Sequence, residues 1–594
     1  MKEKKYLILG LSMVLLTIIG VTFAYFSTNI IGDRKNITVG MSELKIIFNN
    51  GDDIVAENFY AEDNIDIVKT FSVENKTRNE YKYDIVIEDL VNTFVTTGFL
   101  VYKITSDDGG YNMKDFADVP KSNTETNVGL VYNISIPAKG VHNYTIEVKY
   151  INSQTIDQNV DQEKTLSGKI FIQKGTVMSL NDAILRDNPT ISERTDFSVT
   201  NVANTTGTLY KTNKTEDGSD VYYYSGNTIN NWVKFGKVKR ASCVFNNEEV
   251  MIYSSHKIRD VETEEECNST NICKALYKDK NDIKSAYFIG LTESECGKIS
   301  GEWITNKAMY NGLVEKDIYW RMIRTNEDKS IRLLYSGTSH DTTDGYIDIS
   351  SFNENHDDPM YLGYMYGTSG SLENNRINTN DSTIKTFIDT WYENNLLTNY
   401  NKFISKSAIY CNDRSVGEGT YSTSSTFYYS AYTRLNTNKT PTYKCGGNGT
   451  DGLFETTQAT ADKFSASTSG GGNGQLKYPI ALMTADEVSF AGGNFWEDLN
   501  SPYAWYYTNS VGQDVTENSG WWLMSPDESF ETKLYEFAIA SGLNDGYLYG
   551  DNIETPHAIR PVISLNSCVK VKSGLGLPFD PYVIDYDNSC IGEV

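Results

Sequence analysis

Residues 141–151, VHNYTIEVKYI, decide the first reading of this chain. Tyr144, Ile146, Val148 and Tyr150 alternate with Thr145, Glu147 and Lys149. Side chains of an extended segment point alternately to opposite faces, so this period of two marks a strand buried on one side only. The pattern recurs outward along the chain in LKIIF at 44–48, YDIVIEDL at 83–90, NISI at 133–136 and KIFI at 169–172. Strands at this spacing, separated by Gly and Asn turns, predict an antiparallel β-sandwich over 27–175.

The whole chain has 594 residues, enough for several domains with sizeable cores. Its 53 Lys and Arg against 78 Asp and Glu give a net charge of −25, with no cationic cluster beyond the extreme N-terminus. Phosphate binding needs clustered cations, so nucleic acid is excluded as a partner, and an anionic membrane surface is disfavoured for the folded part. With 12% aromatic residues and 41 Tyr, the chain has ample surface to bury and is not disordered.

At the N-terminus, Lys2, Lys4 and Lys5 precede the apolar run from Tyr6 to Phe26. A basic segment followed by an apolar stretch marks a chain for export. Thr22-Phe23-Ala24 predicts cleavage after Ala24, but 21 apolar residues are also long enough to span a bilayer as an uncleaved signal-anchor. Segment 1–26 is therefore read as a signal peptide or signal-anchor, and contact with a membrane is expected only through it. Eight cysteines fit an exported chain: Cys243, Cys267, Cys273, Cys296, Cys411, Cys445, Cys568 and Cys590. None forms a C-x-x-C pair, so disulfides are preferred to a structural zinc site. Proximity pairs Cys411 with Cys445 and Cys568 with Cys590, leaving the first four to pair among themselves.

Segment 176–204 reads as a short helix and linker, with Met178, Leu180, Ala183 and Ile184 as a weak helical stripe. Beyond it, VYYYSGNTINNWVKFGKV at 221–238 reads as two strands around an Asn-rich turn. IYWRMIRTNEDKSIRLLYSG at 318–337 reads as a hairpin whose tip is Asn326-Glu327-Asp328. The stretch 239–306 between them holds four cysteines and is predicted to be an inserted module stapled by its own bridges. STIKTFIDTWYENNL at 382–396 has a helical period.

Two resemblances follow from these texts. TFAYFS at the end of the apolar run, NITVGMSELKIIF and TFSVENKT together resemble the camelysin and biofilm-matrix fibre proteins of Gram-positive bacteria. Those are secreted jelly-roll-like sandwiches, which implies the same for 27–175. Camelysins have been called metalloproteases, but this segment holds one histidine, His142, and no H-E-x-x-H, so that activity is not carried over. YPIALMTADEVSFAGG (478–493), GWWLMSPDES (520–529) and HAIRPVISLN (557–566) resemble secreted surface proteins of Firmicutes. Their C-terminal halves are similar to C-type-lectin-like folds, the kind shared with formylglycine-generating enzymes. The resemblance implies an α+β, C-type-lectin-like domain over 205–594 and a mainly β chain overall. Trp320, Arg321, Trp521, Trp522, Ser525, Pro526, Arg560 and Pro561 are read as its structural motif, with Arg560 closing onto a carboxylate or carbonyls.

The chemistry is sparse. No nucleophile elbow, phosphate loop or dinucleotide fingerprint occurs, and G-G-G-N-G at 470–474 reads as a flexible loop. His340, Asp341, Asp344, Asp348, His356, Asp357 and Asp358 crowd 19 positions. Calcium on Asp341, Asp344 and Asp348, or zinc on the two histidines, is the metal reading, but the spacing fits no EF-hand and favours a solvated acidic loop. Asn544-Asp545-Gly546 with Asp551-Asn552 reads the same way. Tyr503, Trp505, Tyr507, Tyr547 and Tyr549 are candidate faces for stacking sugar rings or a protein partner. The expected function is therefore non-catalytic: recognition or adhesion of an extracellular protein or glycan, with no required cofactor. The alternatives are a fibre or matrix protein polymerising through the sandwich, and an enzyme on a formylglycine-generating-like scaffold.

Overall fold

In the computed structural model, residues 37–590 are described apart from 42–43, 50–53, 57–64, 66, 154–155, 162, 176, 255–256, 260, 262, 269–270, 280–281, 446–461, 468–471, 518, 531–532 and 542–545. The export segment 1–26 and the Asn544-Asp545 pair lie outside the described residues. Among the described residues strands take 41% against 13% for helices, so the fold is mainly β. Two compact units form: Met1–Ser179 with Lys570–Asp585, and Leu180–Val569 with Tyr586–Val594.

The first unit holds two antiparallel sheets. One has the order Ile37–Met41, Leu44–Asn49, Ile67–Asn75, Val141–Tyr150, Leu100–Ser106, Ala117–Asp118. The other runs Ile54–Ala56, Leu166–Lys174, Tyr81–Asn92, Ser122–Ile136. In the Val141–Tyr150 strand every second residue from His142 to Tyr150 is buried, so its apolar face points inward. Phe71, Ile104, Ile146 and Val148 from the first sheet meet Ile85, Ile87, Val131 and Ile170 from the second in one core. Slipping this register by one residue would turn the whole apolar set outward, which is why the core fixes it. Three polar side chains in the core satisfy one another: the Tyr83 hydroxyl bonds Tyr144 Oη at 2.6 Å and His142 Nδ1 at 2.8 Å. Burial holds His142 below its ordinary value, so its imidazole is a neutral part of this core.

The sequence reading placed 570–585 with the second domain, whereas this stretch belongs to the first unit. Leu577 and Phe579 pack against the first core, Val571 N donates to Met178 O at 3.1 Å, and Lys82 pairs with Asp585 at 3.8 Å. These contacts join residues some 400 positions or more apart in sequence, and no local pattern announces them.

In the second unit the predicted hairpin forms, with Met309–Thr325 antiparallel to Ile331–Tyr335. Ile331–Tyr335 continues to Pro561–Leu565, which pairs with Ile480–Leu482. Val221–Tyr223 and Trp232–Phe245, read as strands around one turn, do not pair with each other, because Met309–Thr325 lies between them. A second sheet centres on Trp521–Phe530, flanked by Phe427–Tyr429 and Lys533–Ile539, the latter paired to Leu548–Asn552. Helix Thr383–Asn395 starts at Ser382, whose side chain accepts from Lys385 N. Helix Ala485–Ala491 starts in a Thr484/Glu487 capping box and ends at Gly492, where φ is +123°.

All eight cysteines are paired: Cys243–Cys267, Cys273–Cys296, Cys411–Cys445 and Cys568–Cys590. Four disulfides indicate an oxidising compartment outside the cytoplasm. No helix among the described residues is long and apolar enough to cross a membrane. Strands Trp232–Phe245 and Met309–Thr325 run on as one ladder from Trp232↔Arg321 to Val244↔Met309. This ladder leads into the cysteine-rich module, whose two cores each surround one bridge, Val250 and Ile252 near Cys267 and Phe288 near Cys296.

Candidate functional site

Trp496 is 59% exposed and its backbone sits in the left-handed region at φ +57°. That conformation is uncommon for a bulky residue and persists only where neighbours hold it. Here Trp496 N donates to Leu548 O at 2.9 Å, and Leu548 N to Asn494 O at 2.9 Å, tying the residue to the Leu548–Asn552 strand. Lys439 Nζ and Phe495 N both donate to Asn494 Oδ1 at 2.8 Å and fix the approach. The indole is thereby placed 5.3 Å from the Tyr547 ring at 36° and 6.0 Å from the Tyr549 ring at 64°. Glu497 and Asp498 follow it as exposed carboxylates.

Beside these rings lies a polar triplet. Tyr549 Oη donates to Asp551 Oδ2 at 3.0 Å and lies 3.2 Å from His557 Nε2. His557 Nε2 is 2.8 Å from the same carboxylate oxygen, and Nδ1 donates to Ser519 O at 2.9 Å. Burial works to raise the Asp551 carboxyl, but the hydrogen bond and charge of His557 hold it below its ordinary value. Burial, helped by Asp551, pushes the Tyr549 phenol well up, so it stays a neutral donor. The result is a displayed aromatic surface with carboxylates and a hydroxyl at its edge, suited to a ring with one apolar face and peripheral hydroxyls.

A separate cavity of about 300 Å³ lies at the start of helix Ala485–Ala491. Arg324 and Arg332 both face Glu487 Oε1, at 3.2 and 2.6 Å, and Glu487 Oε2 accepts from Thr484 N at 3.1 Å. Their guanidinium planes lie over the rings of Tyr443 and Tyr410, 4.3 and 4.5 Å from the centroids. Burial depresses the Arg332 guanidinium below its ordinary value; Glu487 opposes this and Arg324 adds to it. At the other side of the cavity Arg434 is neutralised twice, by Asp413 at 2.5 Å and Asp486 at 2.8 Å.

Of the aromatic residues singled out from sequence, only part reaches the surface. Tyr549 and Tyr503 are half-buried, whereas Tyr547, packed beside Trp496, is only 7% exposed and is not the displayed face expected of it. Trp505 and Tyr507 correct the expectation of displayed faces, since they are only 1% and 3% exposed. Trp505 Nε1 donates to Tyr224 O at 3.0 Å and its ring lies near Arg321, so it is core. Trp496 itself was missed; the signal was an aromatic between Gly-Gly-Asn and two acids, GGNFWED at 492–498.

The metal reading is also corrected. Asp341 and Asp344 accept from the hydroxyls of Ser339 and Thr342, and Asp348 from Ile349 N at 2.7 Å, so each carboxylate closes its own turn. His340 Nδ1 is bonded to Ser510 Oγ at 2.6 Å, whereas exposed His356 pairs with Glu554 at 3.2 Å. Among the described residues no three His, Cys, Asp or Glu side chains converge on a metal position.

The motif residues are buried scaffold. Trp320 Nε1 donates to Phe235 O at 2.7 Å and Trp522 Nε1 to Ser350 O at 2.9 Å. Arg321 is bonded to Asn231 and to Thr228 O, and its guanidinium lies 4.2 Å from the Trp232 centroid. Arg560 donates to the carbonyls of Tyr335, Gly345 and Tyr506 and stacks on Trp521 at 4.8 Å. Ser525 Oγ accepts from Ala485 N at 3.0 Å, and Pro526 and Pro561 are buried in their strands. Asp527 and Glu536 stand out in this layer: Asp527 Oδ1 and both Glu536 oxygens have no hydrogen-bond partner. Burial pushes both carboxyls well above the ordinary range, and a Cβ on Gly550 would come 1.8 Å from Asp527 Oδ2. No protein-family model matches this chain, and no curated protein matches its sequence.

Proposed function

We propose that this is an extracellular recognition protein whose second unit binds a neutral glycan on the Trp496 surface. The observation that carries the reading is Trp496 itself: a large apolar ring held outward by a strained backbone, with two tyrosines beside it. Exposing an indole is unfavourable unless a partner covers it, and protein-buried aromatics outnumber displayed ones. Glu497, Asp498 and Asp551 favour hydroxyl donors and repel anionic sugars, which selects a neutral ligand. The four disulfides and the basic-apolar N-terminus support delivery outside the cytoplasm, with segment 1–26 either removed or kept as a membrane anchor. A glycan array followed by calorimetry on the Trp496→Ala variant tests the reading. Binding of a neutral glycan that weakens ~tenfold or more in the variant is expected, as for a central aromatic contact. Filament formation by the ectodomain with no glycan bound would favour the fibre alternative instead.

A further inference from the structure

The Arg324–Arg332 side of the cavity has more donors than the protein uses. Two guanidinium groups share a single carboxylate, Glu487, whose second oxygen is already taken by Thr484 N. Arg324 donates otherwise only to Thr325 O, and Arg332 only to Ile409 O, so the Nη2 of each lacks a protein acceptor among the described residues. Tyr443 also lines this cavity, but its hydroxyl is buried away from solvent and has no hydrogen-bond partner among the described residues. Asp413 and Asp486 cannot supply the missing charge, because both are bound to Arg434 and Asp486 also accepts from Thr442 N at 3.0 Å. Cationic donors left without protein acceptors favour an added anion, and stacking on Tyr443 and Tyr410 holds the guanidinium planes ready.

We propose that this cavity is a binding site for a small monocarboxylate, held by Arg324 and Arg332. A carboxylate offers two coplanar oxygens, matching planar guanidinium donors. A multiply charged anion is disfavoured, since exposed Asp217 and Asp328 and half-buried Glu327 also line the cavity. A volume of about 300 Å³ suits a ligand the size of a dipeptide or one acidic sugar. The two sources share the carboxylate, and the cavity is independent of the Trp496 surface.

The test is titration calorimetry and thermal shift on the full disulfide-bonded chain. Glycylglycine and glucuronate are the carboxylate probes, glycinamide and glucose their uncharged counterparts, and inorganic phosphate the multiply charged anion. One carboxylate binds and raises the melting temperature in proportion to its concentration, and the uncharged counterparts and phosphate do not. Which of the two binds identifies a peptide terminus or an acidic sugar. Arg324→Lys keeps a positive charge beside Glu487 but removes the planar donor fork, so the fold persists while carboxylate binding weakens roughly ten- to a hundredfold, as for a lost hydrogen bond to a charged group. Trp496→Ala leaves carboxylate binding unchanged, which keeps this site separate from the glycan reading. No binding of either carboxylate at millimolar concentration, equal binding of the uncharged counterparts, or an unaltered affinity in Arg324→Lys overturns the proposal.

Discussion

Replacing Asp462 by Asn strikes the most heavily used carboxylate of the second unit. Asp462 and Arg414 are both fully buried. Oδ2 accepts from Arg414 Nε at 2.7 Å and Arg414 N at 3.3 Å, and Oδ1 from Arg414 Nη2 at 3.1 Å and Asn473 Nδ2 at 2.6 Å. Burial alone would raise this carboxyl, yet the Arg414 guanidinium overrides it and leaves the group below its ordinary value. Asn keeps the volume, removes the charge and turns one acceptor into a donor facing donors. An uncompensated buried cation costs about 3–5 kcal/mol. With a urea slope of roughly 3 kcal/mol/M, the midpoint falls by about 1–1.7 M. All eight tryptophans lie between 232 and 522, so tryptophan fluorescence in urea reads the second unit alone. Arg414→Met with Asp462→Leu together should recover most of the loss, because an apolar pair avoids desolvating two ions. A loss below about 1 kcal/mol in Asp462→Asn would refute the reasoning, since a pair that weak is a solvated one.

Three further outcomes are expected. Asp527 and Glu536 are raised in the folded protein, so their contribution to stability is full below about pH 4 and drains as pH rises, by up to about 1.4 kcal/mol per pH unit and group. Asp527→Asn should therefore raise the urea midpoint at pH 7 relative to pH 5 when compared with the parent, and equal slopes in both proteins would contradict this. Asp462 acts in the opposite window, losing its contribution as pH falls through its lowered folded value. Removing the bridge of the small module with Cys273→Ala and Cys296→Ala opens a 23-residue separation and costs that module about 3 kcal/mol, read by hydrogen exchange confined to 272–304. Trp522→Ala removes a fully buried indole and its bond to Ser350 O, lowering stability of the second unit by about 3–5 kcal/mol in the same urea assay.

Much of the fold was legible because its signals are local. The alternation from Tyr144 to Tyr150 prescribes both a strand and which face it buries. The polar tip between Ile323 and Ile331 prescribes the hairpin, and an even set of close cysteines in an exported chain prescribes bridges. Helix Thr383–Asn395 was legible from its helical period. The candidate sites were much less so. Trp505 and Trp496 are the same residue type in equally aromatic surroundings, yet one is core and the other displayed. The difference lies in Arg321 and Tyr224 covering the first, and in Leu548 and Asn494 holding the second outward.

By itself the sequence determined the dominance of strands and the bridging of its nearest cysteines. Each depends on composition, on a period of two, or on separations of a few dozen residues. Only the tertiary structure decided that 570–585 returns to the first unit, and that Arg324, Arg332 and Tyr443 meet around one cavity. It also decided that Asp341, Asp344 and Asp348 face their own turns instead of a metal. The physical reason is common to these cases. A side chain's surroundings are set by partners tens to hundreds of positions away, and burial, charge balance and unmet hydrogen bonds exist only once those partners are in place.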